Sequence, residues 1–275
     1  MININGQLFT DKQAVYGVQN RAFKYGDAVF ETVKLFRGKL VFAEDHYFRL
    51  MASLRMLRMD IPMHFTLEYF EEELLKTAKA SNLEIDARLR ITVCRKEGGL
   101  YTPKNNGIDF AIEVGELSSI PKDSYEVELY KDFYVYSGLL STLKTTNKVL
   151  NVTASVFAQE NGYDTCLLLN ESKHLVEAIH GNVFLIFENR IVTPSITEGC
   201  LKGIVRKKLI EILEKHPDYT LEERAVSPFE LKKADEVFIT NSIIDIQAVT
   251  QYRKKTYRTE VGEKLGKLLK TSYLI

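Results

Sequence analysis

The sequence predicts a two-domain protein of the mixed α+β and α/β class, and three observations carry that prediction. At ~150 residues per domain, the 275 residues of the chain correspond to about two domains. The hydrophobic fraction of 45%, with 15 Phe and 14 Tyr, is enough for a sizeable core and excludes a disordered chain. Helix-like and strand-like segments are mixed along the chain without a regular βαβ alternation. We therefore expect a smaller N-terminal α/β domain over residues 1–120 and a larger C-terminal domain over residues 121–275.

The first half begins with a predicted β-hairpin followed by two amphipathic helices. Residues 30–36 and 39–42 are apolar or alternating segments on either side of Arg37 and Gly38, which is typical of a hairpin. Apolar residues at steps of three and four then predict two helices, at 44–57 and 66–79. Segments rich in β-branched and aromatic residues predict three strands, at 87–94, 110–117 and 125–136.

The second half carries more strands than long helices. Residues 147–161 predict a helix that Gly162 ends, Gly203 opens another, and residues 260–270 predict the last one. Five strands are predicted between these helices, at 166–169, 183–187, 190–193, 236–240 and 246–250. The segment 120–123, which contains Pro121, is the first candidate linker between the halves, and a boundary nearer Gly138 is the alternative.

Charge and composition exclude several classes of protein. Thirty-seven Lys and Arg balance thirty-seven Asp and Glu, so no overall field attracts nucleic acid or an anionic membrane. The longest apolar runs are far shorter than the ~20 residues of a membrane helix, and the start, MININGQLF, does not resemble a secretory signal. The three Cys are widely separated and the five His show no ligand spacing, so we assign no metal or disulfide. We expect a cytoplasmic protein.

The commonest catalytic signatures are absent from the sequence. No GxGxxG follows a strand, and neither GxxxxGK[ST] nor HExxH occurs, which argues against dinucleotide, nucleotide and zinc-protease sites. No Ser lies in a GxSxG turn, so a serine hydrolase is not predicted either.

Seven motifs occur in a fixed order along nearly the whole chain. They are FKYGDAVFETV (23–33), EDHYFRL (44–50), TLKTTNKVLN (142–151), GYDTCLLLN (162–170), LVEAIHGNVFLI (175–186), TPSITEGCLKGIVR (193–206) and ADEVFITNS (234–242). Together and in this order they resemble the class IV aminotransferases, which are fold-type IV enzymes dependent on pyridoxal 5′-phosphate (PLP). The family comprises branched-chain aminotransferase, D-amino acid aminotransferase and 4-amino-4-deoxychorismate lyase. The resemblance implies a two-domain fold with PLP in the cleft between the domains and a homodimer with a shared active site.

The resemblance places the lysine that binds PLP as a Schiff base at Lys144, which Leu143 and Asn147 flank as in the family. A lysine whose pKa is lowered by desolvation or nearby charge can both hold the cofactor and carry protons. Glu177 matches the family's acid, which keeps the ring nitrogen of PLP protonated.

The resemblance also implies which residues hold the phosphate of PLP. They are Arg49, the turn Gly203, Ile204 and Val205, and the loop residues Asn241 and Ser242. The turn opens a helix, where free backbone N–H groups and the helix dipole favour an anion, and an arginine adds a charge-assisted hydrogen bond. The family usually has Thr where this chain has Val205, so a hydroxyl contact is lost while the amides remain.

Three segments favour one branch of the family. Branched-chain aminotransferases carry a Tyr five residues after the Schiff-base lysine, where this chain has Val149. D-amino acid aminotransferases carry an Arg and a His in a loop, and the segment 95–102 has neither at the matching places. The segments ARLR (87–90) and TNSI (240–243) are similar to those of aminodeoxychorismate lyases.

The resemblance therefore favours a lyase that forms 4-aminobenzoate and pyruvate from a small-molecule amino substrate. The alternative is an aminotransferase that acts on branched-chain or D-amino acids with a 2-oxo acid acceptor. Two further alternatives lack turnover: a non-catalytic PLP-binding protein, and an α+β binding domain without PLP.

Five side chains are candidates for contact with the substrate: Phe30, Arg88, Arg90, Arg95 and Tyr101. The three arginines are candidate partners of a substrate carboxylate, and alternation along a strand places Arg88 and Arg90 on one face. The resemblance implies that the loop 96–104 acts in the active site of the partner subunit.

Overall fold

The computed structural model describes residues 1–11, 16–118 and 120–274, which form two compact units. The first unit consists of Met1–Ser118 together with Lys144–Asn147, and the second consists of Ser119–Leu143 together with Lys148–Ile275. The first unit ends at Ser118, two residues before the predicted boundary at residue 120, and the four residues 144–147 return to it. Both units mix helices and sheets, which confirms the predicted α+β class.

The first unit is built on a six-stranded antiparallel sheet. Its elements in chain order are β1 (Ile2–Ile4), β2 (Gln7–Phe9), α1 (Arg21–Tyr25), β3 (Ala28–Phe36), β4 (Lys39–Leu40), α2 (Ala43–Met56), α3 (Leu67–Ala80), β5 (Ala87–Arg95) and β6 (Ile108–Glu116). The strand order across the sheet is β2-β1-β6-β5-β3-β4. Strand β4 pairs only with the last two residues of β3, so it does not cover the beginning of that strand.

Alternation along the central strands divides their side chains between the two faces of the sheet. Val33 and Leu89 are paired across β3 and β5, and both are buried against α2 and α3. Leu54 from α2 and Leu74 from α3 fill the same core. The side chain of Thr66 caps the first turn of α3, which explains why this helix begins there.

The second unit contains two five-stranded sheets. Its elements are β7 (Glu126–Leu129), α4 (Val149–Glu160), β8 (Thr165–Leu169), β9 (Leu175–Ala178), β10 (Asn182–Phe187), β11 (Arg190–Pro194), α5 (Ile204–Leu213), β12 (Thr220–Arg224), β13 (Glu236–Asn241), β14 (Asp245–Val249), β15 (Gln251–Tyr252), β16 (Lys255–Thr256) and α6 (Glu260–Leu274). One sheet has the order β12-β11-β10-β13-β14, and the other has the order β16-β15-β7-β8-β9.

The two sheets of the second unit share one apolar core. Val127 and Leu167 from one sheet and Leu185 and Val237 from the other belong to the same buried cluster. Continuous apolar segments such as TCLLL in β8 are buried along their whole length, as expected for strands covered on both faces. Among the described residues, no helix has both the length and the apolar character needed to cross a membrane.

Several predicted elements have different bounds in the structure. The strand predicted over 125–136 ends at Leu129, and of the residues that follow only Val135 makes an isolated bridge. The helix predicted from residue 147 begins at Val149. Strands β1, β2, β9, β12, β15 and β16 and helix α1 were not predicted, because segments this short offer too few positions for an alternation to be recognised.

Candidate functional site

The backbone at Lys144 is held by the uncovered edge of β3. The N–H of Phe30 donates to the carbonyl of Lys144 at 2.9 Å, and the N–H of Thr146 donates to the carbonyl of Ala28 at 3.0 Å. Between these two bonds, Thr145 forms an isolated antiparallel bridge with Val29. Lys144 therefore stands on a strand-like segment at the edge of the first sheet, although in sequence it lies beyond that unit.

A glycine and an asparagine fix the far end of this segment. Gly26 ends α1 in the left-handed region at φ 64°, and its carbonyl accepts a hydrogen bond from Asn147 Nδ2 at 3.0 Å. A Cβ at Gly26 would lie 2.3 Å from Asn147 Oδ1, so the close approach requires glycine. This contact explains why the motifs FKYGDAVFETV and TLKTTNKVLN occur together, since Gly26 of the first contacts Asn147 of the second. Asn147 is held at Gly26, and α4 begins only at Val149.

The amine of Lys144 and the guanidinium of Arg90 both lie against the ring of Phe30. Lys144 Nζ is 4.6 Å from the ring centroid and Arg90 Cζ is 3.8 Å from it, which are cation–π distances. The antiparallel register places Thr92 opposite Phe30, and Arg90 Nε donates to Thr92 Oγ1 at 3.2 Å. Burial lowers the pKa of Arg90. Arg88 is exposed and lies two residues farther along, so only Arg90 is brought to Phe30.

Arg49, the predicted phosphate ligand, lies in α2 and binds a carboxylate that the sequence analysis missed. Glu31 in β3 accepts from Arg49 Nε at 2.8 Å and from Arg49 Nη2 at 2.5 Å. The second oxygen also lies 2.7 Å from His46 Nδ1. Burial alone would raise the pKa of Glu31, but Arg49 and His46 outweigh burial and lower it to about 2. An acidic residue at an inward position of the buried strand β3 was the available signal.

Arg95, a candidate partner of a substrate carboxylate, is engaged by groups of the protein itself. Its guanidinium donates to the Asp27 carboxylate, to the carbonyls of Leu57 and Arg58, and to Asn106 Oδ1, which uses all five N–H groups. A contact of Arg95 with a substrate carboxylate stays a prediction, and it would require some of these bonds to break.

Tyr101 lies in the loop 96–104, which the first unit anchors through another arginine. The Arg21 guanidinium donates to the carbonyls of Gly98 and Leu100 at 3.1 and 2.7 Å. The Tyr101 side chain is 89% exposed, with its ring centroid 5.6 Å from that of Tyr25. Its contact with a substrate stays a prediction.

In the second unit, Glu177 and Asn182 hold the segment that leads into α5. Glu177 in β9 accepts a hydrogen bond from the N–H of Leu201 at 2.9 Å. Asn182 at the start of β10 donates to the carbonyl of the same residue, also at 2.9 Å. Both polar groups of the Leu201 backbone are thus fixed two residues before Gly203, the residue that caps α5.

The first turn of α5 has the features of an anion site. Its cap residue, Gly203, provides no side-chain hydrogen bond, so the first N–H groups of this ten-residue helix are left without a side-chain acceptor. Ile204 and Val205 are buried, and Val205 presents an apolar side chain where the family usually has a hydroxyl. A phosphate would therefore be held there by backbone amides.

The loop after β13 is fixed by its own asparagine. Asn241 Oδ1 accepts from the N–H groups of Ile243 and Ile244 at 3.0 and 2.9 Å, so this side-chain oxygen shapes the turn around Ser242. Next to it, the buried Thr240 Oγ1 has no hydrogen-bond partner among the described residues. An unsatisfied buried hydroxyl is rare and is typical of a place that a ligand completes. The donors of the second unit therefore fit a phosphate.

Lys148, four residues after Lys144, belongs to the second unit and has a different environment. Burial lowers its pKa, and the negative charge of Glu177 partly opposes that shift. The two lysines of the motif TLKTTNKVLN are thus assigned to different units, Lys144 beside Phe30 and Lys148 near Glu177. Among the residues that the structure describes, no group of His, Cys, Asp and Glu is arranged to hold a metal ion.

We expect that Gly203→Ala weakens PLP binding roughly tenfold or more, corresponding to about 1.4 kcal/mol. A Cβ at Gly203 would lie 2.0 Å from Asn182 Oδ1, so either the first turn of α5 or the bond from Asn182 to Leu201 must shift. The dissociation constant can be measured by fluorescence titration with PLP. Gly138→Ala is the control, because a Cβ there meets nothing within 4 Å and Gly138 is not in the left-handed region. An unchanged constant in Gly203→Ala would contradict the role of this turn.

Comparison with known proteins agrees with this geometry. A family model for amino-transferase class IV matches residues 28–252. A candidate branched-chain-amino-acid aminotransferase of Methanocaldococcus jannaschii is 29% identical over 272 residues, covering 97% of this chain and 93% of that protein. The D-alanine aminotransferase of Bacillus licheniformis is 27% identical and covers 98% of this chain and 94% of its own. The structure of 4-amino-4-deoxychorismate lyase from Pseudomonas aeruginosa has a TM-score of 0.86 at 25% identity, covering 98% of each chain.

The matched region begins with β3 and ends with β15, so it includes every residue predicted to bind the cofactor. Class IV aminotransferases are enzymes that use PLP, which confirms the predicted cofactor and leaves the two alternatives without turnover unsupported. Because the family model covers most of the chain, this protein belongs to the class IV aminotransferases.

Proposed function

We propose that this enzyme is an aminodeoxychorismate lyase, which releases pyruvate from its substrate and leaves 4-aminobenzoate. The observation that carries the proposal is the pair of cations at Phe30. A guanidinium fixed against the same ring as the Lys144 amine offers a carboxylate of the substrate a partner close to the reacting group.

The proposed reaction assigns a role to each of the candidate site residues. PLP, when bound, supplies an electron sink for the charge left at a carbon that loses its proton. Lys144 holds the cofactor and then takes the proton from the ring carbon that bears the substrate amino group. Glu177 keeps the ring nitrogen of the cofactor protonated, while Arg49 and the first turn of α5 bind its phosphate. Loss of the enolpyruvyl ether as pyruvate then makes the substrate ring aromatic.

Two observations favour the lyase over an aminotransferase. Val149 occupies the position where branched-chain aminotransferases carry a tyrosine, and its side chain is 76% exposed. The Pseudomonas aeruginosa lyase is 25% identical to the chain, against 21% for the branched-chain aminotransferase of Thermoproteus uzoniensis, although both structures align over nearly the whole chain. The M. jannaschii and B. licheniformis relatives are named as aminotransferases and support the second candidate, transfer between a branched-chain or D-amino acid and a 2-oxo acid. In that reaction Lys144 would shuttle the proton between the amino acid and the cofactor.

The products distinguish the two reactions. The protein loaded with PLP is mixed with aminodeoxychorismate, and 4-aminobenzoate is quantified by chromatography while pyruvate is quantified with lactate dehydrogenase. The lyase forms both in equal amounts without a 2-oxo acid. In parallel, L- and D-amino acids are supplied with 2-oxoglutarate, and conversion of the cofactor to its pyridoxamine form is followed by absorbance. Turnover of the amino acids alone would replace the lyase by the aminotransferase.

We expect that Arg90→Gln raises the KM for the carboxylate substrate ~10–100-fold, since a charge-assisted hydrogen bond contributes about 1.5–3 kcal/mol. Steady-state kinetics on the product assay would show this change. Arg88→Gln is the matched control, because Arg88 is on the same strand but exposed and two residues from Phe30. Equal effects of the two substitutions would show that Arg90 has no special contact with substrate.

We propose that the enzyme is a homodimer that uses the exposed side of α4. Val149, Val152 and Val156 recur on one side of this helix and are 76%, 59% and 47% exposed. Apolar side chains at this spacing form a stripe that a second copy of the chain can cover.

We expect that Val152→Glu shifts the protein from dimer to monomer in analytical ultracentrifugation, because the new charge would have to be buried in the interface. Phe229→Glu is the control, since Phe229 is similarly exposed, at 75%, but lies outside this stripe. A wild-type protein that is monomeric at micromolar concentration would refute the dimer.

A further inference from the structure

We propose that His46 takes up one proton from solvent when the phosphate group of a ligand binds at Arg49. The proton arrives at Nε2, and the charge of the cluster Glu31–His46–Arg49 changes from neutral to positive. The inference rests on the proposed role of Arg49 in binding the phosphate of PLP. The new element is the change in the charge of His46 on binding, which the phosphate-binding role of Arg49 does not itself specify.

Arg49 alone does not provide net positive charge for a phosphate. Its Nε and Nη2 atoms are bound to the two oxygens of Glu31, a carboxylate that is 1% exposed. The pair therefore carries one negative and one positive charge. A phosphate monoester has a charge of about −1.5 to −2 at pH 7 and would meet the buried carboxylate as well as the guanidinium. Another positive charge beside Arg49 would therefore strengthen the binding of a phosphate.

His46 is the group placed to supply that charge. It is completely buried in α2, with Nδ1 2.7 Å from Glu31 Oε2. In the neutral ring with a proton on Nδ1, this nitrogen donates to the carboxylate and Nε2 keeps a lone pair. That buried Nε2 has no hydrogen-bond partner in the described part of the chain. Buried polar atoms are rarely left unpaired, so Nε2 is available to a ligand: once it carries a proton, it can donate to an acceptor on that ligand.

The charges around His46 keep it neutral until an anion arrives. Burial lowers its pKa most strongly, the hydrogen bond and charge of Glu31 raise it, and the positive charges of Arg49 and Lys144 lower it further. These groups come from β3, α2 and the segment 144–147. A phosphate at Arg49 would offset both cations, and the pKa of His46 would rise. Because the bound state holds the extra proton, affinity for the phosphate should increase as the pH falls.

The test uses the full chain without cofactor and pyridoxine 5′-phosphate, which has the phosphate and ring of PLP but no aldehyde to react with a lysine. Isothermal titration calorimetry is performed at pH 7.5 in buffers of different ionisation enthalpy. We expect uptake of about one proton per ligand, and up to a tenfold change in Kd per pH unit. His46→Asn should lose this uptake, because its amide can still donate to Glu31 but cannot be protonated. Pyridoxine without phosphate should cause no uptake.

A second histidine paired with a carboxylate provides the matched control. His174 Nδ1 is 2.8 Å from Glu198 Oε2, and its side chain is 40% exposed. His174→Asn should keep the proton uptake of the wild type. If His46→Asn does not fold, the ¹⁵N chemical shifts of the histidine rings in the unmodified protein serve instead, and addition of ligand should move those of His46 to the charged form.

Two different failures can be told apart. If Arg49→Gln leaves the Kd for pyridoxine 5′-phosphate unchanged, the proposed role of Arg49 is wrong. If Arg49→Gln weakens binding at least tenfold but His46→Asn takes up as many protons as the wild type, only the inference about His46 is overturned. Glu31→Gln gives an independent check: it removes the carboxylate that opposes the phosphate, so binding above pH 8 should become tighter and the uptake smaller.

Discussion

Lys144→Ala is expected to abolish turnover, with a loss in kcat of at least ~10³-fold, since both covalent attachment and proton transfer depend on one amine. The substitution should leave the fold intact, because the segment 144–147 is held through its backbone and through Asn147. Borohydride reduction of the wild type loaded with PLP should give a stable adduct on the peptide that contains Lys144. The variant should bind PLP reversibly and lose all of it on dialysis after reduction.

Lys148 makes this test discriminating. It lies in the same motif and burial lowers its pKa, so it is the alternative position for the Schiff base that the experiment must exclude. Fragmentation of the reduced peptide by mass spectrometry separates the two positions. Lys148→Ala should still form the adduct on Lys144. An adduct on Lys148, or measurable turnover in Lys144→Ala that matches the wild type, would contradict the assignment.

Glu177→Gln is expected to lower kcat ~10²–10³-fold with a small effect on KM, because the ring nitrogen of PLP would no longer face a negative charge. The amide oxygen of Gln can still accept the hydrogen bond from Leu201 N–H, so the segment before α5 should stay in place. Steady-state kinetics and thermal unfolding together would separate loss of the charge from loss of structure.

Glu128→Gln is the control for this substitution. Glu128 lies in β7 of the same sheet as Glu177, and its carboxylate pairs with Arg253. Its replacement should affect thermal stability rather than kcat. A Glu177 variant that retains full kcat, or two variants with equal loss of activity, would show that Glu177 does not act on the cofactor.

The sequence was sufficient for the elements with strong periodicity. Helices α2 and α3 lie within one or two residues of their predictions, because apolar residues recur on one side over four turns. The strand β7 was predicted too long, since aromatic and apolar residues continue beyond Leu129 although no neighbouring strand is available. Local composition indicates which residues favour a strand, but pairing decides where it ends.

The site residues also differ in how far the sequence predicts them. The segments that carry Lys144 and Arg49 could be recognised from ordered motifs, whereas the contact between Glu31 and His46 joins β3 to α2 and depends on their packing. The contacts of Arg95 within the protein could not be predicted for a related reason. Its hydrogen-bond partners, at residues 27, 57, 58 and 106, are far apart in the sequence. The residues next to Arg95 therefore do not predict them.

The return of residues 144–147 to the first unit has a consequence for how the protein is made. Residues 1–118 leave the ribosome first, but the edge of their sheet beside β3 is completed only after a further stretch of chain has been synthesised. A nascent chain that is released or cleaved near residue 120 would therefore carry the arginines of the first unit and lack the reactive amine. The lysine that we propose to bind PLP would be present only on chains that extend into the second unit.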